Sequence, residues 1–162
     1  MMTKTAARNR EQVEFLCLDD LVPKKHPVRI LEESVDWNFI YDLVKDKYSN
    51  RSGRPSLDPV ILVKLPILQQ VFGIPSLQQT LRETEVNMAY RWFLGLKIHS
   101  PIPHISTFRR NYARCFRGTD LFEQISQKIL GEYAILTAKS GKTGSKKRAS
   151  KTGQSSRSTR NK

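Results

Sequence analysis

The stretch that decides the fold is Pro103–Arg117, PHISTFRRNYARCFR. When it is placed on a helix at about 100° per residue, its apolar side chains share one arc of roughly 100°. They are Ile105, Phe108, Tyr112, Cys115 and Phe116. Arg110, Arg114 and Arg117 occupy roughly 60° on the opposite side, with Arg109 at the border. The pattern predicts a helix that packs on a core with one face and presents guanidinium groups with the other.

Exposed arginines on such a helix suit the phosphate oxygens and base edges of nucleic acid. Two hydroxyl residues in the first turn would add donors to phosphates at the helix N-terminus. The predicted DNA-contacting residues are Ser106, Thr107, Arg109, Arg110, Arg114 and Arg117. The same pattern also fits a surface helix whose arginines are only solvated.

The charge of the chain supports a polyanionic partner. The 162 residues carry a formal charge of +13, and the pI is about 10.0, which points to nucleic acid or an anionic membrane surface. No Asp or Glu follows Glu132, and residues 134–162 hold nine Lys and Arg, which leaves +4 for residues 1–133. The folded part is therefore predicted to be only mildly basic.

Several other classes of protein fit the sequence poorly. Cys17 and Cys115 lie far apart without a CxxC pair, so we predict no structural metal, no cofactor and a reduced, cytoplasmic setting. The polar N-terminus does not resemble a secretory signal. The longest apolar run, Val60–Leu68, is broken by Lys64 and Pro66 and is shorter than the roughly 20 residues of a bilayer span. No membrane partner is predicted.

Helical periodicity recurs along the rest of the chain. Helices are predicted after Pro27, over Asn38–Tyr48, from Asp58 to Gly73, from Ser76, over Met88–Gly95 and after Thr119. Pro66 lies inside one of them and removes a backbone hydrogen bond at a cost of about 3 kcal/mol, which predicts a kink near Leu62–Pro66 or a weakened fold. For Val13–Val22, both a strand and a turn remain open.

These patterns predict an all-α, compact multi-helix DNA-binding domain with a helix-turn-helix-like element over residues 13–133. Residues 1–12 are predicted to be a flexible arm. From Ala134 the composition changes to Lys, Arg, Ser, Thr and Gly, which leaves almost nothing to bury. We therefore predict a disordered basic tail over residues 134–162.

Five blocks of the sequence carry a resemblance to a known family. They are LDDLVPKKHPVRILEE, FIYDLVKDKYS, GRPSLDPVILVKL, EVNMAYRWFLGL and IPHISTFRRNYARCFRGTDLFEQI. Over roughly Glu11–Tyr133 and in this order, the blocks resemble the N-terminal domain, of the InsH N-terminal type, of DDE-type insertion-sequence transposases. The segments NMAYRWFLGL and PHISTF are its most specific parts.

The resemblance implies a helical module that binds DNA at the terminal inverted repeats of its element, with a homo-oligomer possible. In the family this module precedes a ribonuclease-H-like domain, where three carboxylates hold two divalent metals for attack on a phosphodiester. None of those carboxylates has a counterpart here, so no catalytic residue is predicted and the chain is not expected to be an enzyme. The loss of acidic residues after Glu132 resembles a truncation or frameshift, and Pro66 is a second departure from the family.

Two other hypotheses remain open. The chain could be a stand-alone helix-turn-helix regulator. It could also be a fragment without specific function, whose DNA affinity comes only from the non-specific charge of the tail.

Overall fold

The computed structural model describes residues 13–47 and 56–144, with side chains described as far as Lys139. Within these ranges it contains α-helices, one 3₁₀ turn at Lys45–Lys47 and no strand. The helices are α1 (Pro27–Glu33), α2 (Phe39–Val44), α3 (Pro59–Phe72), α4 (Leu77–Val86), α5 (Met88–Phe93), α6 (Ile105–Phe116) and α7 (Leu121–Gly144). The predicted all-α fold class is confirmed. The predicted arm at residues 1–12 lies outside the described residues.

The ends of α3 are set by local capping. The Asp58 carboxylate accepts the N–H of Val60 at 2.8 Å. At the other end Gly73 takes the left-handed conformation (φ 63°, ψ 32°), and the N–H of Ile74 donates to the carbonyl of Gln69 at 2.9 Å. Both ends therefore satisfy backbone groups that a helix leaves without partners, and the predicted bounds at Asp58 and Gly73 are confirmed.

The helix α3 forms the centre of the core. It packs against α2, α4, α6 and α7, while α1 packs against α5 and α7. Five apolar side chains of α3 are almost completely buried, and these are Leu62, Val63, Leu65, Ile67 and Leu68. The backbone stays helical through Pro66, so the proline does not break the helix. Burial on several sides explains why α3 forms despite a residue that disfavours helix interiors.

The helix α4 follows α3 after a four-residue connection, and the chain bends by 93° between them. Ser76 caps α4 by accepting the N–H of Gln79 at 3.2 Å. The side-chain amide of Gln79 donates to the Glu83 carboxylate at 3.0 Å. Of the helices described, none is by itself long and apolar enough to cross a membrane. Taken together, α3 and α4 are long and apolar enough, but the chain bends sharply between them.

The segment before α1 forms turns and no strand within residues 13–26, which decides between the two alternatives left open by the sequence. Asp19 anchors it to the helices. Its carboxylate accepts Arg29 Nη1 at 3.0 Å and Trp92 Nε1 at 2.9 Å, and these contacts lower the pKa of Asp19.

The predicted domain boundary at 133/134 falls inside a helix. α7 continues to Gly144, so residues 134–144 are helical in the part of the chain where the composition predicts disorder. Ala134, Leu136 and Ala138 are strong helix formers, and extending an existing helix costs far less than nucleating one. Residues 145–162, the remainder of the predicted tail, lie outside the described residues.

Candidate nucleic-acid interface

The helix α6 has the two faces that its sequence predicts. Phe108, Cys115 and Phe116 are almost fully buried. Tyr112 is half-buried and packs its ring 5.2 Å from that of Phe122 on α7. Burial raises the pKa of Tyr112, and the charge of a nearby glutamate adds to this effect. The apolar face is therefore held between the core and α7.

All four predicted arginines of this region are exposed. Arg110 and Arg114 lie one helical turn apart and, with Thr107, form a single strip on α6. This strip borders a surface depression of about 730 Å³. The depression is lined by Ser56, Leu57, Pro101, Thr107, Arg110, Asn111 and Arg114. Two guanidinium groups and a threonine thus share one concave surface.

The other three predicted residues lie outside this depression. Ser106 is exposed, and its Oγ lies 2.8 Å from Nδ1 of His104. The same ring nitrogen accepts the backbone N–H of Ser106 at 3.3 Å, so His104 already caps the first turn of α6. Arg109 is exposed on the border of the apolar face, and Arg117 follows the last turn with extended backbone (φ −65°, ψ 130°). The structure therefore brings together Thr107, Arg110 and Arg114.

A buried amide connects two members of the strip, Thr107 and Arg114. Asn111 is only 7% exposed. Its Nδ2 donates to the carbonyl of Thr107 at 2.8 Å, and its Oδ1 accepts Nη2 of Arg114 at 3.1 Å. We did not predict a role for Asn111, although its spacing of four residues from Thr107 and three from Arg114 is the spacing of contacts on a helix.

A second unpredicted residue, Arg91 on α5, holds the segment that leads to α6. It is 6% exposed, and its Nη1 donates to the carbonyls of Lys97 at 3.0 Å and Ser100 at 2.9 Å. Its Nη2 donates to the carbonyl of Glu85, at the end of α4, at 3.1 Å. The Arg91 guanidinium is therefore occupied by hydrogen bonds inside the protein, close to Pro101 at the edge of the depression.

The charge of α6 differs from that of its neighbour α4. Within its bounds α6 carries three arginines and no acidic side chain, whereas α4 carries Arg82 together with Glu83 and Glu85. Since phosphate oxygens are attracted by net positive charge, α6 is the better surface for a polyanion. Across the described part of the chain, no three His, Cys, Asp or Glu side chains come together as metal ligands.

The fold is thus an all-helical domain that presents arginines from a helix docked on its core. The family described as Transposase domain (DUF772) matches residues 16–114, well over half of the chain. The chain belongs to this transposase-domain family, which confirms the resemblance to the N-terminal region of insertion-sequence transposases. The match takes in α1 to α5 and most of α6. Neither the curated proteins nor the solved structures contain a significant match.

Proposed function

We propose that this chain binds DNA through the arginine face of α6, as the DNA-recognition part of an insertion-sequence transposase. The observation that carries the proposal is the convergence of Thr107, Arg110 and Arg114 on one depression of a helix without acidic residues. Guanidinium groups bind phosphate oxygens in a planar, bidentate manner. Membership of a transposase-domain family supports DNA as the polyanion.

The DNA that we propose as the target is the terminal inverted repeats of the element. On this hypothesis Arg110 and Arg114 contact phosphates from the depression. Arg109 and Arg117, both exposed outside the depression, reach adjacent phosphates or base edges, and Ser106 adds a hydroxyl at the helix N-terminus. Phosphate contacts would fix the register of the helix on the duplex, and base contacts would add sequence preference.

The arrangement of α3 and α4 supports the second hypothesis, a helix-turn-helix reader. Two helices at nearly a right angle, joined by four residues that include Gly73, match the general geometry of that motif. In that case α4 would be the recognition helix, with Gln78 and Arg82 toward the DNA. The acidic pair Glu83 and Glu85 on α4 opposes this reading, so we favour α6.

Binding of labelled duplex DNA at several salt concentrations tests the proposal. Arg110→Ala and Arg114→Ala should each weaken binding and reduce the slope of log K against log salt by about 1. Lys24→Ala is the matched control, because it removes one exposed positive charge from a segment outside α6. The proposal is wrong if both arginine variants bind DNA as well as the Lys24→Ala control does.

Self-association would allow one assembly to recognise two ends of the element. We propose that the chain forms a homo-oligomer through contacts of the segment before α1. Phe15 is 99% exposed and Val13 is 79% exposed. Phe15 directly precedes Leu16, which lines an apolar groove of about 750 Å³. Its apolar lining consists of Leu16, Leu18, Trp92, Leu96 and Ile98. A phenylalanine from a second copy would gain about 2–3 kcal/mol on burial there.

Analytical ultracentrifugation of two variants tests this contact. Phe15→Ser should shift the chain toward monomer. Val86→Ser is the control, because Val86 on α4 is 80% exposed and lies away from the groove. Equal sedimentation of the two variants would contradict the proposed contact.

A further inference from the structure

Asn111 is a polar side chain at a position where an apolar one would pack. It lies beside the buried face of α6 and is 7% exposed. Burying an amide costs free energy unless its hydrogen bonds are replaced within the protein. Asn111 replaces them within α6 itself, through Thr107 and Arg114. A leucine, which has the same branching and number of side-chain heavy atoms, would need neither bond, so packing alone does not explain the amide.

We propose that Asn111 is a positioning residue that sets the guanidinium of Arg114 in place for a DNA phosphate at the depression beside α6. The inference rests on the proposed function of that face, and it adds a residue that would not itself contact DNA.

The orientation of the amide follows from its partners. The Thr107 carbonyl only accepts hydrogen bonds and the Arg114 guanidinium only donates them, so Nδ2 must face Thr107 and Oδ1 must face Arg114. The helical backbone at Thr107 therefore fixes the amide, and the amide in turn fixes one edge of the guanidinium. Both bonds, at 2.8 and 3.1 Å, have ordinary hydrogen-bond lengths.

Two physical consequences favour this role. An arginine side chain has many rotamers, and ordering it before the encounter removes part of the entropic cost of binding. Asn111 is uncharged, so it orients the guanidinium and leaves its positive charge intact. An aspartate at the same position would cancel that charge. With Arg114 ordered in this way and Arg110 lining the same depression, two guanidinium groups are available for a phosphate there.

A double-mutant cycle on the full chain tests the inference, with a short labelled duplex as the probe. In the wild-type background, Asn111→Leu should weaken DNA binding about three- to tenfold. In the Arg114→Ala background, the same change should have almost no further effect, because Asn111 acts through Arg114. Thermal unfolding of each variant verifies that the fold is retained.

Every other outcome of the cycle overturns either the inference about Asn111 or the role proposed for Arg114. Equal weakening by Asn111→Leu in both backgrounds assigns Asn111 a purely structural role and overturns the inference. No weakening by Asn111→Leu while Arg114→Ala weakens binding overturns the inference and leaves the proposed function standing. No weakening by Arg114→Ala overturns the role proposed for that arginine, and the inference with it. If the leucine variant does not fold, Asn111→Met, with a flexible side chain of similar volume, takes its place in the cycle.

Discussion

At the scale of single residues, Lys64 shows how a charge is accommodated in this core. Its Nζ lies 2.7 and 2.9 Å from the carboxylate oxygens of Glu32 and 2.8 Å from the carbonyl of Phe93. It also lies over the Trp37 ring, 4.7 Å from the centroid. Burial lowers the pKa of Lys64, and the Glu32 carboxylate opposes that effect. The ammonium therefore ties α1, α3 and α5 together.

The two partners of this ion pair should not respond equally to substitution. Glu32→Ala leaves a buried ammonium without its counter-ion and should cost about 1–3 kcal/mol of unfolding free energy. Lys64→Met should cost less, because the Glu32 side chain is 34% exposed and stays hydrated when alone. Urea unfolding measures both values. A larger loss for Lys64→Met would show that the ammonium is held mainly by contacts other than Glu32.

His26 makes the stability depend on pH. Its Nδ1 accepts the N–H of Val28 at 3.3 Å, and burial lowers the pKa of His26 below its usual value. The unfolded chain therefore binds the proton more readily, and stability should fall as pH decreases through about 6.5. His26→Asn keeps a helix cap that does not titrate. Between about pH 7.5 and pH 5.5 the wild type should lose more thermal stability than His26→Asn, and equal losses would contradict the assignment.

At the scale of elements, α3 has capped ends at Asp58 and Gly73 and an unfavourable residue, Pro66, in its interior. Pro66 has no N–H, so it cannot donate to the carbonyl of Leu62 one turn earlier. Pro66→Ala should stabilise the protein by about 1–2 kcal/mol, which is the helix gain less the packing lost at a half-buried site. Pro59→Ala is the control, since proline is well tolerated at the first helical position. Thermal unfolding would contradict the prediction if Pro66→Ala had a Tm no higher than the wild type.

At the scale of the whole molecule, the proposed DNA binding can be divided between α6 and the basic residues after α7. Residues 145–162 contain seven Lys and Arg and no acidic residue. A chain ending at Gly144 should bind DNA more weakly and with a shallower salt dependence, yet still lose affinity on Arg110→Ala. If that shorter chain bound no DNA even at low salt, the hypothesis of purely tail-mediated binding would be favoured.

The structure confirms most of the predictions that rest on local sequence. The helices, the caps at Asp58, Gly73 and Ser76, and the two faces of α6 were all predictable. Periodicity and capping depend on residues within one or two turns, and those neighbours are present in the sequence itself. α7 extends past the change in composition at Ala134, because extending an existing helix costs far less than nucleating one.

The sequence by itself determined the all-helical class, the positions of the helices and the arginine-bearing face of α6. Only the tertiary structure decided which residues share the depression, because Ser56 and Leu57 approach Thr107 across about 50 positions of the chain through the packing of α3 on α6. It also decided that Asn111 and Arg91 are buried. Burial depends on which helices cover a side chain, and no local pattern specifies that.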